Sequence, residues 1–288
     1  MTQLSVSRPR ERGRGGEAAN DPRLAHRIRH GRRLGPGRAV PGGLALGPVL
    51  LLLAWVVTSA TGLLDPQTLS APWTVVATFG ELIADGRLQS NLLTSVQRAG
   101  ISLVLGVGLG VALALAAGLS RVGEALIDGP VQIKRAVPTL ALIPLAIIWF
   151  GIGEEMKIIM IAASVFVPVY INTHAALRGV DHRYVELAET VGLSRAEFIR
   201  RVALPGALPG FFTGLRLSVT ISWIALVVVE QVNATSGIGY LMTQARTYGQ
   251  TEIIVVGLVV YAAFGLVGDT LVRAIERRAL SWRRTLGS

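Results

Sequence analysis

Gly106, Gly108 and Gly110 stand close together in a way that superficially suggests a nucleotide loop. A loop that cradles ATP phosphates needs Gly-Lys-Ser or Gly-Lys-Thr, because the lysine ammonium must reach the phosphate oxygens. The chain has two lysines, Lys134 between Ile133 and Arg135 and Lys157 between Met156 and Ile158, and neither is in that context. Any ATP used in its work is therefore hydrolysed elsewhere. Gly106 and Gly110 fit better the Gly-x-x-x-Gly spacing that lets two membrane helices approach closely. His174 has no second ligand at a useful spacing and reads as structural. With no cysteine, disulfides, Cys-ligated zinc and iron–sulfur clusters are excluded. Two ionisable residues remain at the ends of an apolar run, Arg216 and Glu230. A charge at a membrane boundary is a functional candidate.

The elements that must hold these residues are membrane spans. Hydrophobic residues make up 51% of the chain and charged ones 16%, against about 25% charged in soluble domains. Runs of roughly 20 apolar residues mark spans. They fall near Leu44–Leu64, Leu92–Leu119, Val137–Phe150, Ile158–Leu177, Phe211–Val229 and Ile253–Val272. The third is short unless it starts further back, near Val131. Six is the preferred count, with five or seven open. The fold class is an all-α polytopic membrane protein.

Charge orients the spans. Of 28 basic residues two are lysines, so 26 are arginines, and ten of these lie in the first 38 residues. The positive-inside rule puts that end in the cytoplasm. Six spans then leave Arg121, Lys134 and Arg135 inside, with Arg178, Arg183, Arg195, Arg200 and Arg201. The tail, with Arg277, Arg278, Arg283 and Arg284, is inside as well, so both termini are cytoplasmic. Asp65, Glu81, Asp85, Glu154 and Glu155 face outward with Arg87, Lys157 and Arg246. The net charge of +10 is thus a topology signal rather than a sign of nucleic-acid binding. Residues 1–42 form a basic tail rich in Arg and Gly without an apolar period, and their composition predicts disorder. The tail either rests on anionic lipid or serves topology alone. It is not a secretory signal. The transmembrane domain takes up 43–288.

Residues 181–210 form a polar, basic insert between two apolar stretches. Val185, Ala188 and Val191 share one helical face. Gly192 ends that helix, since glycine accepts the left-handed conformation that closes it. Ser194 and Glu197 form a capping box for a second helix. Phe198 and Val202 edge that second helix, and Pro205 is expected to stop it. Two short helices at the mouth of a membrane domain suit a grip by another protein.

This insert resembles the signature loop of ABC importer permeases, in which Glu-Ala-Ala is followed at fixed intervals by Gly, Ile and Leu-Pro. Here the positions are Glu186-Leu187-Ala188, Gly192, Val202 and Leu204-Pro205. Ala136 to Leu145, Trp149 to Gly153, Val167 to Thr173 and Ser236 to Leu241 resemble the nitrate/taurine/sulfonate permeases, and within that group the aliphatic sulfonate permeases most closely. The likeness runs from about Pro48 to Arg284.

The resemblance implies a type I ABC importer permease fold in a bacterial plasma membrane. It implies two copies around one pathway, a homodimer first, and cytoplasmic ATPase subunits that carry ATP and Mg. An extracytoplasmic solute-binding protein delivers an aliphatic sulfonate; this chain binds no cofactor itself. Glu186, Ala188, Gly192, Leu204 and Pro205 would seat the ATPase, with Arg195, Arg200 and Arg201 meeting acidic partners. Pro138 and Pro144 would break a span and line the path, unless they serve packing alone. Gly237 and Gly239 join that set. Glu230 would repel an anion, which fits a gating or structural hydrogen bond. Arg216 reads first as a headgroup anchor and second as an attractor of sulfonate. Taurine, nitrate or a neutral heterocycle precursor are rival solutes. An ion-coupled transporter would need midplane charges and internal repeats, and no clear repeat is present. A non-transporting scaffold leaves the loop spacing unexplained.

Overall fold

The computed structural model describes residues 43–282. The basic segment 1–42 and the pair Arg283 and Arg284 lie outside the described residues. The chain divides into two units at Leu53, inside the first helix. The described part of the first unit is the apolar helical stretch Gly43–Leu53, and everything below concerns the second. All regular elements among the described residues are helical: α1 (Gly43–Ala60), α2 (Pro72–Ala84), α3 (Arg87–Gly118), α4 (Arg121–Ala136), a 3-10 turn (Thr139–Leu142), α5 (Ile143–Phe150) and α6 (Glu154–Arg178). Next come α7 (His182–Thr190), α8 (Arg195–Phe198), a π-turn (Ile199–Ala203), α9 (Leu204–Asn233), α10 (Ile238–Thr247) and α11 (Thr251–Ala279).

Four helices are long and apolar enough to cross a bilayer: α3, α6, the helical run Arg195–Val232 and α11. Each extends a turn or more past the apolar run that announced it, because polar residues continue a helix into the interface. The first expected span, Leu44–Leu64, ends early: helix stops at Ala60, and its apolar part Ala45–Ala60 is shorter than the other four.

The third expected span, Val137–Phe150, is not one helix. It is the second arm of a broken pair, α4 followed by Thr139–Phe150, bent by 87°. The sequence explains the break. Pro138 pushes Val137 out of the helical region, and Val137 is extended at φ −90°, ψ 118°. Pro144 lies in the first turn of α5, where its missing N–H costs nothing.

Helix α6 is the centre of the bundle. Along α3 the buried positions Ala99, Ser102, Gly106, Gly110, Ala114 and Ala117 recur every three or four residues, giving one stripe of small side chains. That stripe lies on α6 in parallel. A Cβ at Gly106 would sit 2.7 Å from Val165 Cγ1, and one at Gly110 2.7 Å from the Phe166 carbonyl oxygen. The Gly-x-x-x-Gly reading therefore holds, as a close approach that a methyl group would block. Helix α9 packs antiparallel on α6. A Cβ at Gly210 would lie 2.7 Å from the Asn172 carbonyl, and Ser218 Oγ donates to the Val165 carbonyl at 2.8 Å. Lipid tails are as apolar as leucine, so such packing rather than hydrophobic collapse holds spans together. Val104, Leu105, Leu266 and Val267 remain exposed on the outside.

Candidate functional site

Three groups of residues stand out, at the two ends of the bundle and at its middle. At one end lie α7 and α8. Asp181 caps α7 through its side chain to Arg183 N. Gly192 has φ +74°, the left-handed conformation that closes the helix, with Gly192 N and Leu193 N donating back to the Glu189 and Ala188 carbonyls. Ser194 and Glu197 form the full reciprocal capping box. Ala188 is buried at 6%, whereas Tyr184, Leu187 and Val191 are exposed. Glu186 is exposed, and its carboxylate accepts from His182 Nδ1 at 3.1 Å in the tautomer that carries a proton there. Arg195 donates to the Leu119 carbonyl at 2.7 Å, which ties the segment to the end of α3. Arg201 approaches Glu197 at 3.7 Å, and Arg200 is exposed.

Pro205 does not stop the second helix. Helical structure runs on from α8 through the π-turn into α9, with Pro205 in the first turn of α9. The wider π-turn accommodates a residue without an N–H. The segment 181–210 is thus an α7–turn–α8 unit whose second half is continuous with a span.

At the opposite end is a buried ionic network. Arg98 is 3% exposed and Glu230 1%. Arg98 Nη1 donates to Glu230 Oε1 at 2.8 Å, while its Nε and Nη2 grip the two oxygens of Glu154 at 2.5 and 2.6 Å. Lys157 Nζ adds a bond to Glu154 at 2.8 Å, so two cations balance two carboxylates. Glu230 also accepts from Ser95 Oγ, Gly239 N and Tyr261 OH. Arg98 reaches the Ser236 carbonyl at 2.6 Å. Five elements, α3, α6, α9, α10 and α11, meet there. Gly237 has φ +114°, and a Cβ on it would strike the Glu230 carboxylate. Glu230, Gly237 and Gly239 are therefore brought together, around a structural ion pair. Arg98 is the residue that sequence reasoning missed. Its signal was available as a charge inside the expected span Leu92–Leu119.

Arg216 pairs with Asp269 of α11 at 3.2 Å, and Asp269 is also held by Arg273. Asp269 is thus its partner within the bundle. The expected path residues are therefore dispersed: Pro144 is exposed at the start of α5 and Arg216 is taken up by Asp269. Pro138 alone of them borders the third feature.

That feature is a cleft of about 490 Å³ between the α4–α5 break, α6 and α9, bordered by Lys134, Arg135, Pro138, Thr139, Asn172 and Ile221 among others. Lys134, expected between the second and third spans, lies in the last turn of α4, the first arm of the broken pair. Helix α4 climbs antiparallel to α6: Glu124 pairs with Arg178 at 3.1 Å, Asp128 accepts from Tyr170 at 3.2 Å, and Lys134 Nζ lies 5.9 Å above the Phe166 ring. Phe166 is halfway along α6, so the lysine sits at mid-depth. His174, stacked on Tyr170 at 5.4 Å, has a packing role.

Comparison with known proteins agrees with this architecture. Residues 106–281 match the family described as binding-protein-dependent transport system inner membrane component. A Bacillus subtilis (strain 168) protein that carries the name aliphatic sulfonates transport permease protein SsuC is 40% identical over 87% of this chain and 91% of its own length. Its namesake from Escherichia coli (strain K12) is 42% identical over 82% of this chain and 89% of its own. The crystal structure of an amino acid ABC transporter with histidines superposes with a TM-score of 0.59 at 19% identity, covering 69% of this chain and 97% of that one; this likeness speaks for the type I importer permease fold alone. Matched over more than half its length, the chain belongs to the binding-protein-dependent transport system inner membrane components, as a multi-pass ABC transporter permease.

Proposed function

We propose that the chain is the permease subunit of an ATP-driven importer of aliphatic sulfonates. Two copies form the pathway, and a cytoplasmic ATPase carrying ATP and Mg docks under each α7–α8 unit. A binding protein on the other face delivers the solute. Both termini lie in the cytoplasm, in keeping with the arginines near them. Likeness to the two SsuC chains supports the solute class.

The observation that carries the coupling is the exposed apolar edge of Tyr184, Leu187 and Val191 on a unit locked at both caps. Apolar side chains exposed on a rigid, otherwise polar segment suit a partner's groove. Arg201 borders the same cleft as Tyr184 and favours an acidic rim, with exposed Arg200 beside it in sequence. ATP binding would draw the two ATPases together, and with them the two units. Because α8 runs through the π-turn into α9, that movement passes directly to a span.

Gly192→Pro tests this. Proline holds φ near −65°, incompatible with +74°. The variant is expected to insert and purify normally while losing solute-stimulated ATPase activity in the reconstituted complex. Full stimulation in that variant would contradict the coupling role.

A further inference from the structure

A lysine at mid-depth in a membrane domain needs a counter-charge or a function. Lys134 is half-buried and donates to the Thr139 hydroxyl. Among the described residues it makes no ion pair: the nearest carboxylate on its own helix, Asp128, serves Tyr170 and stands beside His174. An ammonium has three donors. One goes to Thr139, which leaves two donors and a whole positive charge facing the cleft.

The residues that border the cleft include a second cation, Arg135, and no Asp or Glu. Thr139, whose oxygen accepts from Lys134, keeps its own O–H to donate. The wall from α9 is different, consisting of Leu217, Ile221, Ile224 and Ala225. A space of about 490 Å³ lies within the roughly 300–1,000 Å³ of small-molecule sites. One end thus offers positive charge and donors with no acceptor of matching charge, and the other offers aliphatic surface. The Phe166 ring and the carboxyl-terminal end of α4 favour a cation here, but among the described residues no carboxylate neutralises it, and an ammonium without a counter-charge is costly to hold away from water.

We infer that this cleft binds the transported anion during its crossing, with the sulfonate group on Lys134 and Thr139, Arg135 adding charge, and the alkyl chain on Leu217, Ile221 and Ile224. The inference rests on the sulfonate reading above and adds to it a solute site within the membrane domain. A sulfonate has three acceptor oxygens and one negative charge, so it supplies the missing counter-charge. The site is weakly built by design of its own geometry: the cations come from a helix end at an 87° break, not from a closed cage, which allows release.

The test uses the complete complex in nanodiscs, with pentanesulfonate and methanesulfonate as probes in calorimetric titration and pentanesulfonate uptake measured in proteoliposomes. Lys134→Gln is expected to weaken pentanesulfonate binding at least tenfold, Lys134→Arg less than threefold, and Thr139→Val between threefold and tenfold. The longer probe should bind more tightly than the shorter, and Ile224→Ser should shrink that difference. Wild-type affinity in Lys134→Gln, with uptake intact, would overturn the inference and leave the sulfonate reading standing. No sulfonate uptake by the wild type would overturn both. Should Lys134→Gln fail to assemble, Thr139→Val decides: unchanged binding there overturns the site.

Discussion

Arg98 and Glu230 together tie the far end of the bundle. The Arg98 guanidinium joins Glu154, Glu230 and the Ser236 backbone, and the planar fork is what allows three partners at once. Arg98→Ala would leave Glu230 buried and without a cation, a change that typically costs about 3–5 kcal/mol. Glu154→Gln should cost far less, because the Glu154 side chain is 54% exposed and Arg98 keeps Glu230. Thermal unfolding in detergent separates the two: a clearly lower midpoint for Arg98→Ala than for Glu154→Gln is expected, and equal midpoints would contradict the network's weight. At this scale the sequence disclosed one half of the pair. Glu230 stood out because it ends an apolar run. Its partner lies 132 positions earlier, and no local pattern links them. Lys134 was expected between two spans for a related reason, since charge counting assigns residues to loops and cannot see a helix that breaks at mid-depth.

Among the elements, the α3–α6 pair gives the sharpest contrast. Gly106 and Gly108 are two residues apart on one helix, yet a Cβ at Gly106 would be 2.8 Å from the Ala162 carbonyl oxygen, while one at Gly108 meets nothing within 4 Å. Gly106→Ala is expected to destabilise by about 1–3 kcal/mol, the range for overpacking. Gly108→Ala should be neutral or stabilising, because alanine is the better helix former by roughly 1 kcal/mol. Parallel melting curves check this, and equal losses would contradict the packing. Local elements were largely legible. The Ser194–Glu197 capping box and the Gly192 stop are encoded within a few residues, and both formed as their chemistry requires. Pro205 was misread because proline ends one helix or begins another with the same residue. Only the π-turn before it, whose Ala203 packs with Leu177 at the end of α6, decides between them. The broken third span was visible as a run too short to cross, but its angle was not, since nothing in Val137-Pro138 specifies what α5 packs against.

At the scale of the whole molecule, the second unit is a bundle centred on α6, with an ionic network at one end and the α7–α8 unit, proposed to dock the ATPase, at the other. Between them lies a cationic, half-aliphatic cleft at the only sharp break in the spans described. The central claim is that the α7–α8 unit links this membrane domain to ATP hydrolysis on behalf of a sulfonate. The direct measurement is ATPase activity of the nanodisc complex of this chain with its ATPase subunits, on adding its binding protein loaded in turn with an alkanesulfonate, taurine or nitrate. The account predicts several-fold stimulation by the alkanesulfonate-loaded protein and little by the other two. A complex that forms but responds to none of the three, or a chain that associates with no ATPase, would contradict it.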